Sequence, residues 1–158
     1  MTKSNLEKSI ESNLGITVRK VNQSDFKVIY QFVNDLEKIV FDLEHLQKIF
    51  LKNINHVNYI YMIAEVKGRA VGFISLHSQF LLHHGGQKIG EIQEMYVDFE
   101  YRNLGVGNIL MKALKEEAQK NEIKQIEVTS NKTRETAHRF YLKEGFLNSH
   151  EKFTLPLE

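Results

Sequence analysis

The sequence predicts one α/β domain of mixed order, and three observations carry that prediction. Two β-rich segments, Tyr59 to Val66 and Ala70 to Phe80, meet at Lys67-Gly68-Arg69, a hairpin turn. Apolar residues fall at helical spacing in Phe26, Ile29, Phe32, Val33 and Leu36 and again in Leu43, Leu46, Ile49 and Phe50. A strand-like stretch from Gly90 to about Val97 then runs through a glycine-bearing loop into the helical sequence Asn108 to Leu114.

Taken in order, Ile16 to Val21 alternates as a short strand, and Ser24-Asp25 caps the first helix. A second helix is expected from about Asp42 to Leu51, the kind of helix pair that walls a small-substrate site. The hairpin strands follow, then the turn His83-His84-Gly85-Gly86-Gln87-Lys88 and the central strand. A helix from Gly107 to about Asn121, a strand from Lys124 to Thr129, a helix from Thr133 to Glu144 and a final strand from Leu147 to Leu155 complete the order. The single proline, Pro156, lies beyond the predicted core.

The composition bounds the function. The 158 residues are read as one domain spanning 1–158, with 1–14 as a polar N-terminal extension. With 42% hydrophobic and 26% charged residues, the chain has the balance of a soluble globule, and no apolar run approaches the ~18 residues of a membrane span. No membrane partner is expected. The net charge of +1 gives no field favouring nucleic acid, so none is expected as a partner. Cysteine is absent, which suits the cytoplasm and excludes a cysteine nucleophile or thiolate metal site. Any acyl transfer is then direct, or uses a hydroxyl.

Arg102-Asn103-Leu104-Gly105-Val106-Gly107 spells R-x-x-G-x-G between strand and helix. Its glycines keep side chains away while backbone N–H groups and the positive helix end face an anion such as a pyrophosphate. The same glycines also suit a plain tight turn. The P-loop pattern fails for want of its lysine and hydroxyl, and the dinucleotide fingerprint has Leu110 where a third glycine belongs, although Glu127 stands at the spacing of its acid.

Downstream, Ala137-His138-Arg139-Phe140-Tyr141 is followed by Gly145-Phe146. With R-x-x-G-x-G, this A-x-x-F-Y…G-F order resembles the GNAT N-acetyltransferases. The resemblance implies the GNAT fold, a mixed and mainly antiparallel central sheet flanked by helices on both faces, and acetyl-coenzyme A as co-substrate. It implies that the diphosphate sits on the amides of Arg102, Asn103, Leu104, Gly105, Val106, Gly107 and Asn108. The pantetheine arm would lie along Met95, Tyr96 and Val97 at a bulge, with Asn131 a further cofactor contact. Tyr141 would return a proton to the leaving thiolate, and Arg134 or Lys143 could meet the 3′-phosphate. Relatives are often dimers, so a homodimer is possible.

The chemistry asks for a base. An amine with a pKa near 10 is mostly protonated at neutral pH, and attack on a thioester needs that proton removed and an oxyanion stabilised. Glu91 and Glu94 on the central strand are the candidates, either as catalytic base or as ordinary solvated acids. A backbone N–H near Met95 is the expected oxyanion donor.

His77, His83 and His84 fall on one hairpin. A turn centred between Gly85 and Gly86 pairs His77 with Glu94 and Phe80 with Glu91. On that register the three histidines are candidate ligands for a divalent metal, or simply exposed side chains. The runs Leu76–His84, Ile89–Glu94, Ala137–Gly145 and Ser149-His150 resemble the bacterial GNAT enzymes that acetylate aminoalkylphosphonates with help from divalent metal. This implies a small-molecule amine as acceptor. A protein or peptide acetyltransferase and a non-catalytic acetyl-coenzyme A-binding regulator are the alternatives; Tyr141 and the two glutamates argue against the last.

Overall fold

The computed structural model describes residues 14–157, so most of the 1–14 extension lies outside the described residues. Five strands form one sheet in sequential order: β1 (Ile16–Lys20), β2 (Tyr59–Val66), β3 (Arg69–Leu81), β4 (Gln87–Val97) and β5 (Gln125–Val128). The first four are antiparallel neighbours and β5 runs parallel to β4. The mixed, mainly antiparallel sheet expected for the GNAT arrangement is therefore present.

Helices cover both faces. α1 (Phe26–Glu37) and α2 (Leu43–Ile54) lie on one side, where Phe26, Ile29, Phe32 and Phe50 pack with Ile63, Phe73 and Tyr96. On the other side α3 (Val106–Lys120) buries Leu110, Met111 and Leu114 completely against Ile74 and Leu76. α4 (Glu135–Lys143) adds the half-buried Phe140 and Tyr141 to that second core. β2, β3 and β4 thus send side chains from their two faces into different cores, which fixes their register.

The β2–β3 hairpin closes on two residues, Lys67 and Gly68, with φ of 49° and 77°. Positive φ at both positions matches the right-handed twist of the flanking strands. Arg19 ties β1 to α1: its guanidinium donates to both carboxylate oxygens of Asp25 at 2.8 Å and to Glu65 at 2.7 Å. Those bonds hold the Asp25 carboxyl below its ordinary pKa, against the opposing effect of burial.

Two expectations are corrected. The predicted strand from Leu147 to Leu155 forms no ladder; residues 147–157 are irregular and exposed and pair with no strand of the five-stranded sheet. The β3–β4 connection is also longer than a tight turn, since Leu82–His84 folds as a single 3-10 turn before Gly85 and Gly86. The register consequently moves by three residues: His77 pairs with Glu91, and Phe80 with Lys88.

Candidate active site

β4 is interrupted at its middle. Leu76 pairs with Ile92 and Ile74 with Met95, so Gln93 and Glu94 together oppose Ser75, a β-bulge. The pairing with β5 stops at Ile92↔Val128, so β4 continues to Val97 with no strand beside it on that side among the described residues. The backbone of residues 93–97 therefore joins no strand on that side among the described residues. The bulge expected near Met95 is present, at Gln93 and Glu94.

Glu94 sits at the bulge. Its backbone N–H donates to Ser75 Oγ at 3.1 Å, and Ser75 Oγ donates back to its carboxylate. Burial raises the Glu94 pKa, opposed by the Ser75 hydrogen bond and helped by the nearby Glu37 charge. Glu91 is different: half-exposed, it accepts from Thr129 Oγ1 at 2.9 Å and lies 4.0 Å from Lys152 Nζ. Of the two glutamates, Glu94 is the one that lies buried at the bulge.

Beside Glu94 a polar group gathers from three elements. Tyr61 Oη lies 2.8 Å from His77 Nε2 and accepts from Asn53 Nδ2 at 3.1 Å. Tyr59 stacks on the His77 ring with centroids 3.6 Å apart, and His56 stacks on Tyr59 at 3.9 Å. Burial and the Glu94 charge raise the Tyr61 pKa, so the phenol keeps its proton. The His77 pKa is lowered, first by burial and then by His56, with Glu91 opposing. Sequence reasoning missed Tyr61, Asn53 and Ser75. Tyr59 and Tyr61 share one face of β2, which was readable, but Asn53 stands beyond the expected end of α2 and left no signal.

Tyr141 stands on the far side of β4, its hydroxyl 3.9 Å from Met95 Sδ and its ring edge-on to Phe140 and Phe146. Burial raises its pKa, with Arg134 opposing, so at neutral pH it is a proton donor. Arg134 itself bonds across to the end of α1, reaching Leu36 O and Glu37 Oε1 at 3.4 Å. Lys143 is exposed at the end of α4.

The loop of Arg102 to Gly107 delivers α3. Gly105 is its N-cap, with φ of 88° and no capping side chain, and the first helical bond runs from Ile109 N to Gly105 O at 3.1 Å. The N–H groups of Val106, Gly107 and Asn108 precede that bond and point out of the helix end, where an anion is favoured. A Cβ on Gly107 would lie 3.3 Å from Phe140 and 3.4 Å from Met95, so this glycine also lets α4 and β4 approach. Asn103 has φ of 62°. Leu104 is half-buried. Arg102 folds back, donating from Nε to Val97 O at 2.9 Å and lying over the Tyr96 ring. Asn108 donates to Glu144 Oε1 at 2.7 Å, and Lys115 pairs with the same carboxylate at 3.1 Å. Asn131 is engaged locally, its Oδ1 accepting from Thr133 N and Oγ1.

The histidines do not assemble as a set. Among the described residues no three His, Cys, Asp or Glu side chains are placed to hold a metal ion. The 3-10 turn is the reason: it sets His83 and His84 ring against ring at 4.6 Å and brings His84 4.0 Å from Glu127, while His77 lies down the strand with Tyr61. The residues present therefore do not fit the three-histidine site.

A model of the acetyltransferase (GNAT) family matches residues 26–146. The chain is 37% identical over 140 residues to an aminoalkylphosphonate N-acetyltransferase of Salmonella typhimurium, covering 89% of this chain and 90% of that one. Among solved structures it is similar to a transcriptional regulator from Bacillus halodurans, with a TM-score of 0.82, 21% identity, and coverage of 90% and 99%. It is also similar to an aminoglycoside acetyltransferase from an uncultured soil metagenomic sample, with a TM-score of 0.76, 18% identity, and coverage of 94% and 99%. No helix among the described residues is long and apolar enough to cross a membrane. Sequence motifs, sheet order and family match agree: the chain belongs to the acetyltransferase (GNAT) family of N-acetyltransferases, enzymes that use acetyl-coenzyme A.

Proposed function

We propose that this enzyme transfers the acetyl group of acetyl-coenzyme A directly to the primary amine of a small aminoalkylphosphonate. The observation that carries this reading is the convergence of Glu94, Ser75, Tyr61, Asn53 and His77 beside the break in β4, with Tyr141 across the strand. The similarity to the Salmonella enzyme supplies the acceptor class.

Glu94 takes the ammonium proton, directly or through water, and the free amine attacks the thioester carbonyl. A C–N bond forms and the C–S bond breaks. The backbone N–H near Met95 stabilises the developing oxyanion, Tyr141 gives its proton to the departing thiolate, and the second proton that the nitrogen loses on becoming an amide passes to solvent, from which Tyr141 is reprotonated. Amides at the N-terminus of α3 hold the diphosphate, and residues 95–97 guide the pantetheine arm. Glu91 contributes to the electrostatics around His77 and is not needed as the base.

The arginines near the phosphonate end are already engaged, Arg134 with Leu36 O and Glu37. Arg19 is committed to Asp25 and Glu65, and Arg69 lies by Asp98 and Glu100. Hydrogen-bond donors from Asn53, Tyr61 and His77 hold it instead, which positions the amine against Glu94 and raises its effective concentration. The reaction takes place in the cytoplasm, and the enzyme acts as a homodimer.

Coenzyme A release measured across a panel of amines tests the reading: aminomethyl- and aminoethylphosphonate, amines without phosphorus, and peptides, each with chelator and with added Mn²⁺ or Ni²⁺. Preference for the phosphonates supports it. Faster turnover of peptides or of amines lacking phosphorus overturns the acceptor, and absence of release with every amine overturns catalysis.

A further inference from the structure

Two helix ends carry charges that their own helices disfavour. α1 finishes on Asp35-Leu36-Glu37 before its C-cap Lys38, with no basic residue in its last turn, so carboxylates stand where the helix carbonyls already gather negative charge. α4 has the opposite fault: its N-cap is Arg134, whose side chain makes no capping bond and whose cation stands at the positive helix end. Locally unfavourable choices that satisfy one another at a distance are expected at a functional site.

Each misplaced charge is answered by the other. Arg134 Nη2 donates to Leu36 O and to Glu37 Oε1, both at 3.4 Å, although Glu37 lies 97 positions away in the chain. The contact joins the two helix layers, because α1 packs with Phe73 and Tyr96 on one face of the sheet while Phe140 and Tyr141 of α4 pack on the other. Both side chains are nearly half exposed, at 43% and 46%, and the distances exceed those of a tight charge-assisted bond, so the pair adds little to folding stability. Its effect is felt at the site. The Glu37 charge raises the Glu94 pKa, and the Arg134 charge opposes the burial that raises that of Tyr141, so the pair acts on both groups that move protons.

We propose that Arg134 and Glu37 are positioning residues of the acetyl transfer: the pair draws the end of α1 onto α4 and, by holding the Glu37 carboxylate, limits the negative charge that faces Glu94. This rests on the reading of Glu94 as the base. The groups facing Glu94 are Ser75 from β3, Tyr61 from β2 and Glu37 from α1; Tyr61 keeps its proton, and Glu37 alone of the three is a carboxylate. With Arg134 in place part of the Glu37 field is cancelled, and Glu94 ionises at a lower pH than it would beside a bare carboxylate.

Profiles of kcat/KM against pH test the proposal, with thermal melts, expected to stay close to wild type, showing that each variant is folded. Glu37→Gln is expected to move the acid limb to lower pH. Arg134→Gln is expected to move it to higher pH with a several-fold rise in KM for the amine, and Arg134→Lys, which keeps the charge, to return it toward the wild-type position. Titration of the acceptor itself is common to every variant and cancels from the comparison. Exchanging the partners, Glu37→Arg with Arg134→Glu, restores the pair but turns a cation toward Glu94, so the acid limb is expected below that of wild type. A wild-type limb in the exchanged variant means a merely structural bridge and overturns the proposal, as do coincident limbs in wild type, Glu37→Gln and Arg134→Gln. Glu94→Gln separates the two readings: an acid limb that persists in it removes Glu94 as the base and the role of the pair with it. A limb lost in Glu94→Gln but unmoved in the pair variants overturns the pair alone.

Discussion

Ser75 and Glu94 are bonded twice across the break between β3 and β4: the serine hydroxyl accepts the Glu94 backbone N–H and donates to the Glu94 carboxylate. One small side chain thereby fills the bulge, fixes the direction of the carboxylate and leaves it buried with a raised pKa. Glu94→Gln should slow acetyl transfer about 10²- to 10⁴-fold while acetyl-coenzyme A still binds. For the wild type, the rate should rise with pH through the raised Glu94 pKa, above the ordinary glutamate range, since the base works only when ionised. A pH profile of kcat/KM checks this, and an acid limb that persists in the glutamine variant would assign the titration elsewhere.

Tyr141 keeps its proton because its ring is buried beside Met95, Phe140 and Phe146. Tyr141→Phe retains the packing and deletes the donor, so single-turnover rates should fall about 10²- to 10⁴-fold with little change in cofactor affinity. Near-normal chemistry in that variant would reduce Tyr141 to a packing residue.

The two loop glycines separate by environment. A side chain on Gly105 meets nothing within 4 Å but must adopt φ of 88°, whereas one on Gly107 presses on Phe140 and Met95. Gly105→Ala should cost about 1–3 kcal/mol in local strain and weaken acetyl-coenzyme A binding. Gly107→Val should lower the melting temperature as well, because α4 and β4 are forced apart. Calorimetric titration and thermal melts read the two effects; unchanged cofactor affinity in Gly105→Ala would remove the loop from cofactor binding.

His77 shares a hydrogen bond with Tyr61 and stands apart from the other two hairpin histidines. Both His77→Ala and Tyr61→Phe should raise KM for the aminoalkylphosphonate about tenfold or more, with chelator as well as without it, and leave acetyl-coenzyme A affinity unchanged. Loss confined to metal-stimulated turnover would restore a metal-ligand role to His77.

Asp25 is bound by Arg19, and its carboxyl pKa lies below the ordinary aspartate value. A depressed folded-state pKa adds stability at every pH above the unfolded value, and that increment is lost as pH falls through the folded one. Asp25→Asn should cost about 1–3 kcal/mol near pH 7, and the difference from wild type should shrink on acidification below the ordinary aspartate pKa. Urea melts at several pH values measure it.

The local order of this fold was written in the chain, because periodicity and turn residues act over a few positions. Lys67-Gly68 turns the first hairpin and the apolar spacing from Phe26 to Phe32 buries one face of α1, but Ser24-Asp25 does not cap that helix: Asn22 caps a 3-10 turn at Gln23–Asp25, and the Asp25 side chain is turned to Arg19 and the Asn22 N–H. R-x-x-G-x-G and A-x-x-F-Y likewise marked the loop before α3 and the helix that carries Tyr141, since a helix start and close backbone approach have fixed residue needs. What joins distant segments was decided only in three dimensions. The 3-10 turn at Leu82–His84 changes the pairing by three residues, which exchanges Glu94 for Glu91 opposite His77 and separates the three histidines. Which of two glutamates is buried depends on the bulge at Ser75, and the gathering of Asn53, Tyr61 and His77 depends on α2 and two strands meeting. The expected strand from Leu147 to Leu155 failed for the same reason: a strand needs an edge to pair with, local sequence carries no record of one, and the segment joins none among the described residues.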